Sequence, residues 1–315
     1  MTTWIVTPVY RDTASFLILR DRVLEVLAGD PPSTGPVRFV VMDDTAGQDP
    51  NVAPLGELGD VTVLQPPFNL GHQRGLVYAL RKMLPRFHDD DAVVTMDADG
   101  EDRPEDLPRL LAALDEGEAP GRHVVLALRT KRHEPPAFKI LYRGFKLLFR
   151  ALTGATVRTG NYAVMPGAVA KRALLHPTFD LAYSSAILAL DLPVTYVPCE
   201  RGRRYQGESK MTYGKLAMHG LRMLMPFTDR IAIRALAAFV LFGMVGVVLA
   251  AVVVFLKYFT DSSIPGWTSY IALGALIVSL VALGNFVSLF VLFSQTRAVS
   301  LSNIEELTDD AEALG

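Results

Sequence analysis

The chain has 315 residues, 50% of them hydrophobic and 20% charged, with a formal net charge of −2. At roughly 150 residues per domain this is one large domain, or a medium one with an appendage; it is too apolar for disorder, and 20 scattered prolines do not make a collagen-like chain. The single cysteine, Cys199, excludes a disulfide framework and a thiolate zinc site and suits a reducing compartment, and the small net charge argues against a dedicated nucleic-acid binder.

In chain order, the apolar runs Trp4–Thr7, Val37–Met42, Val61–Leu64, Ala92–Met96 and Val124–Leu128 have the length and β-branched content of strands buried on both faces. Between them Ser15–Leu27, Gly71–Leu84 and Pro104–Leu114 are expected as helices. The last opens on Pro104 with Glu105 and Asp106 in its first turn, where they suit the helix N-terminus. This alternation predicts an α/β fold built on a mostly parallel, Rossmann-like open sheet, with ligands at the carboxyl ends of its strands.

Further along, Phe138–Leu152 places Phe138, Leu141, Phe145, Leu148, Phe149 and Leu152 at helical spacing, with Lys139, Arg143, Lys146 and Arg150 between them. This is the pattern of a basic amphipathic helix lying in a membrane interface; a surface helix with a solvated basic face is the competing reading. Lys215, His219 and Arg222 repeat the spacing in a basic juxtamembrane segment, 211–234. Ala235–Leu256 then runs 22 residues and Trp267–Ser294 runs 28 without a charge, and about 20 suffice to cross a bilayer as a helix. Buried core helices of that length would normally keep a polar stripe. The turn formers Ser262, Ser263, Pro265 and Gly266 make the pair a hairpin. Lys215, Arg222, Arg230, Arg234 and Arg297 flank the spans, against Lys257 alone in the connection, which puts both flanks and both termini in the cytoplasm beside an inner (plasma) membrane. The start, MTTWIVTPVYRD, has no basic leader of a signal peptide. The expected organisation is a soluble domain over 1–210, the juxtamembrane helix 211–234, a transmembrane pair within 235–296 (about 235–257 and 267–294) and an acidic cytoplasmic tail, 297–315.

Charge is unevenly placed. Residues 1–119 carry 10 Lys/Arg against 21 Asp/Glu, whereas residues 120–234 carry 19 against 6. The acidic front suits metal ions and the basic middle suits phosphates or an anionic membrane. Three strand ends concentrate polar groups: Thr7-Pro8-Val9-Tyr10-Arg11-Asp12, Asp43-Asp44-Thr45, and Asp97-Ala98-Asp99-Gly100-Glu101-Asp102. Neither GxGxxG nor GxxxxGK[ST] occurs, which excludes the dinucleotide fingerprint and the P-loop. Just beyond a strand, alternate residues face one side, so Asp97 and Asp99 are placed to approach one hard cation, Mg²⁺ or Mn²⁺. The same Asp-x-Asp spacing also serves turns and helix caps.

Taken in order, TPVYRD (7–12), VVMDDT (40–45), NLGHQRG (69–75), MDADGEDRPED (96–106), RTGNYAVM (158–165), RGRRYQGESKM (201–211) and the hairpin resemble the family-2 glycosyltransferases with the GT-A fold. Within them the chain is similar to the polyprenyl-phosphate sugar transferases, the group of dolichol-phosphate mannose synthases and bactoprenol glucosyltransferases. The resemblance implies inverting, metal-dependent transfer from a UDP- or GDP-linked sugar to a polyprenyl (undecaprenyl or dolichyl) phosphate, at the lipid bilayer and with a possible homo-oligomer. It implies that Pro8, Tyr10 and Asp12 lie by the nucleoside, that Asp44 reads its base or ribose, and that Asn69, Gln73 and Arg74 line the donor site. Asp97 would contact the nucleotide, Asp99 would help hold the metal, and Asp102 would join them. His72 is read as an incidental polar residue. Arg129, Lys131, Arg132, Arg201, Arg204, Ser209 and Lys210 are the candidates for the acceptor phosphate, with Arg204 also catalytic. Where many relatives carry an acid in Gly-Asp-Phe, this chain has Gly160-Asn161-Tyr162. Base catalysis is therefore doubtful there, and Asn161 is left to orient a substrate or to stabilise a turn. Two alternatives stand beside this reading: a processive polysaccharide synthase, which would carry Gln-x-x-Arg-Trp and more spans, and an inactive membrane-anchored nucleotide-sugar binder.

Overall fold

The apolar runs of the first 130 residues are strands in the computed structural model, which describes residues 1–296 apart from 30–34, 117–120, 130–135, 157–158, 207–212 and 260–265. Its elements are β1 (Thr3–Val9), α1 (Thr13–Ala28), β2 (Val37–Asp43), β3 (Val61–Leu64), α2 (His72–Met83), β4 (Ala92–Thr95), α3 (Leu107–Ala112), β5 (Val124–Arg129), α4 (Pro136–Thr153), β6 (Thr159–Pro166), α5 (Gly167–Ala173), α6 (Tyr183–Ala189), β7 (Val194–Cys199), α7 (Tyr213–Leu224), α8 (Thr228–Phe259) and α9 (Trp267–Thr296). They fall into two units, residues 1–149 with 155–226 and residues 150–154 with 227–300.

In the first unit seven strands form one sheet in the order β3-β2-β1-β4-β6-β5-β7. All pairings are parallel except those of β6, which runs antiparallel to β4 and β5. The continuous apolar runs are explained by layers on both faces. Ile5, Phe39 and Val41 enter one core under α1 and α3, whereas their neighbours Val6, Val40 and Met42 enter a second core under α2 and α6. The sequence progression reverses beside β1: β2 and β3 lie on one side, β4 and all later strands on the other. Ligands of open α/β sheets bind outside the carboxyl ends of strands at such a switch point.

The structure departs from the sequence expectation in three places. The helix expected over Pro104–Leu114 is a 3₁₀ turn, Pro104–Asp106, followed by the short α3. Pro108 at the second position of α3 lacks the N–H that would continue the preceding turn. β6 and β7 lie in a stretch that the apolar-run pattern did not mark as strand. β6 is also irregular. Leu126 pairs with Ala163 but Leu128 pairs with Thr159, so β6 uses four steps where β5 uses two. Gly160, Asn161 and Tyr162 occupy that bulge, a device that re-aims a side chain at a sheet position.

The basic helix α4 buries Phe149 and packs Phe145 against α7, where a Cβ at Gly220 would stand 2.9 Å from the Phe145 ring. Leu147 and Leu148 are exposed, as are Arg143 on α4 and Leu221 and Arg222 on α7.

In the second unit α8 and α9 fold back on one another, with Phe239 stacked on Phe286 at 6.5 Å. Both are long and apolar enough to cross a membrane by length and composition. Most of their large apolar side chains are exposed, as hydrocarbon rather than water would favour. Arg234 of α8 caps the end of α4, its Nη1 donating to the carbonyls of Arg150 and Ala151 at 3.1 and 2.6 Å.

Candidate functional site

The acidic turn after β2 separates its two aspartates. Asp43 folds the turn itself: Oδ1 accepts from the backbone N–H and the hydroxyl of Thr45 at 2.9 and 2.6 Å, and Oδ2 accepts from Gly47 N–H at 2.8 Å. Asp44 instead fastens the segment before α2. Its Oδ1 accepts from Leu70 and Gly71 N–H at 3.2 and 3.0 Å, and Asn69 Nδ2 donates to its carbonyl at 2.6 Å. Burial raises the Asp44 pKa against the pull of those two N–H groups.

Pro8 lies inside β1 beside Met42. Tyr10 follows the strand, 47% exposed, with the Arg11 guanidinium 5.7 Å over its ring. Arg11 itself has φ +51°, a left-handed conformation that only surrounding structure sustains in a non-glycine residue. Asp12 precedes α1 without capping it. With Arg11, Gln48, Asp49, Asn51 and Gln206 it lines a cleft of about 370 Å³. Asp97 and Asp99 lie outside that lining. Arg74 is exposed on the first turn of α2.

The loop after β4 has a different character. Asp102 is buried; its Oδ2 accepts from Asp97 N–H at 3.0 Å and its Oδ1 from Arg129 at 2.9 Å. Burial and the Asp97 charge push its pKa up to about 7 against the pull of Arg129. Asp102, proposed from sequence to join the metal ligands, thus has both oxygens engaged within the protein. Arg129, read from sequence as a phosphate ligand, lies flat over Gly160, whose Cβ would stand 3.0 Å from its Nη2. A larger residue there would have to push the guanidinium aside by a few tenths of an ångström. Asp99 Oδ1 accepts from Glu101 N–H at 3.0 Å, and its Oδ2 stands 2.9 Å from Arg204 Nη2. Burial and the nearby Asp97 charge raise the Asp99 pKa.

Asp97 faces the β6 bulge. Its Oδ1 is 3.0 Å from His72 Nε2 and accepts from Asn161 Nδ2 at 3.4 Å. Burial opposes its charge, but His72, Arg129 and Asn161 outweigh burial and hold its carboxyl well below the usual range. Asn161 is the hub: its Nδ2 is 2.5 Å from His72 Nε2, and its Oδ1 accepts from Gln73 Nε2 at 2.5 Å. Behind it, Thr95 Oγ1 donates to the Asn161 carbonyl at 2.6 Å and lies 3.0 Å from the buried Tyr183 hydroxyl. The first turn of α2, the end of β4 and the bulge of β6 therefore meet at one amide. His72, read from sequence as incidental, belongs to this group; nothing in its sequence surroundings marks the contact with Asp97.

The last contributor follows β7. Residues 201–205 cross the β4 loop, where Arg201 and Arg204 both reach Glu101. Lys131, Arg132, Ser209 and Lys210 lie outside the described residues. Among the described residues no three His, Cys, Asp or Glu side chains converge as a metal cage. Asp97 and Asp99 are hard oxygen donors of the kind that hold a hard cation by one or two carboxylates with substrate phosphates; both oxygens of Asp99 are engaged, on Glu101 N–H and Arg204, so a cation there would displace Arg204.

Comparison with known proteins gives the following. The family model described as glycosyl transferase family 2 matches residues 4–172. A relative from Bacillus subtilis (strain 168), the uncharacterized glycosyltransferase YkcC, is 29% identical over 223 residues, covering 68% of this chain and 65% of its own length. The chain thus spans just under two thirds of that relative. Among solved structures, glucosyl-3-phosphoglycerate synthase from Mycobacterium tuberculosis in complex with Mn²⁺, UDP and glucosyl-3-phosphoglycerate aligns over 73% of this chain and 80% of its own, with 17% identity and a TM-score of 0.44. S. aureus TarS 1–349 aligns over 75% and 65%, with 15% identity and a TM-score of 0.41.

Proposed function

The chain belongs to glycosyl transferase family 2, and we propose that it transfers a sugar from a nucleotide-diphosphate sugar to a polyprenyl phosphate at a membrane, with inversion at the anomeric carbon. The observation that carries the reading is the meeting of the Asp97/Asp99 loop with the Arg201/Arg204 segment. Carboxylates for a cation and guanidiniums for phosphate oxygens stand at the switch point of one sheet. The two long apolar helices and the exposed basic and apolar side chains of α4 and α7 support a lipid-borne acceptor. The catalytic domain and both termini are assigned to the cytoplasmic side of the membrane on flanking charge.

In this reading the nucleoside lies against Tyr10, Asp12 and Asp44, and the diphosphate extends toward Asp97 and Asp99. Mg²⁺ or Mn²⁺ held by these two carboxylates would supply positive charge opposite the diphosphate. Arg204 binds phosphate oxygens as negative charge grows on the leaving group. An oxygen of the acceptor phosphate attacks the anomeric carbon from the face opposite the diphosphate, and the bond to the nucleoside diphosphate breaks. A phosphate monoester, with a second pKa of about 6, is already largely ionised near neutral pH. It needs no base, which accommodates an amide at position 161. Asn161, held by Gln73 and His72, orients the sugar or the phosphate by hydrogen bonds.

The test is a transfer assay on the purified full-length chain with Mg²⁺ or Mn²⁺, a panel of labelled nucleotide sugars and undecaprenyl phosphate. Label moving into a lipid-extractable monosaccharide product is the expected result. Long water-soluble polymer would instead indicate a synthase. One observation favours the inactive-binder reading: the Asn161 amide is engaged on both its oxygen and its nitrogen. Nucleotide-sugar binding without turnover of any acceptor would establish that reading.

A further inference from the structure

Glu101 sits in the strand-end polar cluster, but nothing in the sequence marks its partners: two distant arginines converge on it. The β4 loop and the 201–205 segment are tied by their backbones, with Gly202 N–H donating to the Glu101 carbonyl and Tyr205 N–H to the Asp99 carbonyl, both at 2.9 Å. They also touch without room for side chains: a Cβ at Gly202 would stand 2.2 Å from the Gly100 carbonyl oxygen. A Cβ at Gly100, where φ is +88°, would stand 2.9 Å from the Tyr205 ring. On this base Glu101 divides its carboxylate. Oε2 accepts from Arg201 through Nε at 3.0 Å and Nη2 at 2.5 Å, and Oε1 accepts from Arg204 Nε at 3.0 Å. Its side chain is 13% exposed. The two guanidiniums hold its pKa down even though burial works the other way.

Two guanidiniums side by side repel, and a shared carboxylate removes that repulsion. It also fixes their direction, because a carboxylate and a guanidinium pair in a defined plane. Arg204 is held at two points: Nε on Glu101, and Nη2 on Asp99 Oδ2 at 2.9 Å. One of these can be exchanged while the other stays.

We propose that Glu101 is a positioning residue: it holds Arg201 and Arg204 as a preformed guanidinium pair beside Asp99, from which Arg204 turns its Nη2 edge from Asp99 to a phosphate while its Nε stays anchored. The proposal rests on the reading of this site as a phosphate-handling transferase centre. Glu101 itself touches no substrate. The phosphate belongs either to the donor diphosphate or to the acceptor monoester, and two probes separate them.

The experiment uses the full-length chain in detergent micelles, as wild type, Glu101→Gln and Glu101→Asp. Trypsin reports the 201–205 segment through cleavage after Arg201, Arg203 and Arg204. Calorimetry reports binding of inorganic pyrophosphate and of a short-chain prenyl monophosphate. In Glu101→Gln, cleavage is expected to accelerate at least about fivefold, and affinity for one probe is expected to fall about tenfold, as for loss of one charge-assisted pairing. Glu101→Asp keeps the charge and restores part of both. The probe that weakens identifies the phosphate served. If Glu101→Gln does not fold, Arg201→Gln takes its place with the same expectation for binding. Wild-type affinity for both probes in the Gln variant, whatever its cleavage rate, overturns the proposal alone. No binding of either probe by the wild-type chain overturns the transferase reading, and the proposal with it.

Discussion

The acidic turns after β2 and β4 belong to one sheet, but only the second draws distant side chains onto its carboxylates. Asp43 takes three donors from Thr45 and Gly47, within four residues of itself. After β4, Asp99 and Asp102 each keep one local backbone donor, Glu101 N–H and Asp97 N–H, but Asp97 meets His72 and Asn161, Asp99 meets Arg204, and Asp102 meets Arg129, side chains brought from distant parts of the chain. Backbone N–H groups of a tight turn cannot be exchanged without unfolding it. A guanidinium or an imidazole on a rotatable side chain can be. The first turn is therefore part of the fold, and the second retains the capacity to trade internal partners for a ligand. Asp44 stands between these cases, bound by backbone donors yet fastening the segment that opens α2.

The contrast is broken most severely at Asp43. Replacing it with Ala strands three donors, at about 1 kcal/mol each, so Asp43→Ala is expected to lose about 3 kcal/mol in denaturant unfolding. Activity should fall only as the folded fraction does. Gly202→Ala forces a Cβ against the Gly100 carbonyl and is expected to cost about 2 kcal/mol, as overpacking does. Trypsin should cut its 201–205 segment faster than in the wild type. Asp99→Asn sharpens the comparison from the other side. Transfer should drop at least about tenfold, or about 1.4 kcal/mol of barrier, while the unfolding midpoint moves little. Unchanged metal-dependent turnover would remove Asp99 from the mechanism. The smallest effect is one of pH. Asp91, at the opposite end of the sheet, accepts from Thr2 and His88 N–H and from Trp4 Nε1 at 2.6, 2.9 and 3.0 Å. These donors outweigh burial and lower its pKa. Its folded-state pKa lies below the unfolded value of about 3.9, so its contribution is complete above that pH and is lost as pH falls through the depressed value. Asp91→Asn should flatten the acid limb of a stability–pH curve below about pH 4 and leave the neutral region less stable overall.

Much of this architecture is readable from residue order. Phe39–Met42 announces β2 because a segment buried on both faces is apolar at every position, whereas β3, at the sheet edge, is buried only at Val61. The helix expected over Pro104–Leu114 is interrupted at Pro108, whose missing N–H leaves the first turn as 3₁₀. β6 escapes because its bulge carries Gly160 and Asn161, which obey the site and not the core. The strand-end aspartates are likewise legible as a group, but their partners are not. Local pattern cannot bring His72 to Asp97 or place Arg129 on Asp102, since each contact depends on sheet order and on the register of a bulge. Glu101 is hidden for the same reason, its partners lying a hundred residues downstream.

The touching backbones at Gly100 and Gly202 set a rule for anyone re-engineering this chain. A graft that imports the DADGED loop from a relative without the matching stretch after β7 would bring foreign side chains into a space that admits hydrogen alone. Substrate preference would have to be altered by exchanging both segments as a single cassette, and randomised libraries should vary them jointly.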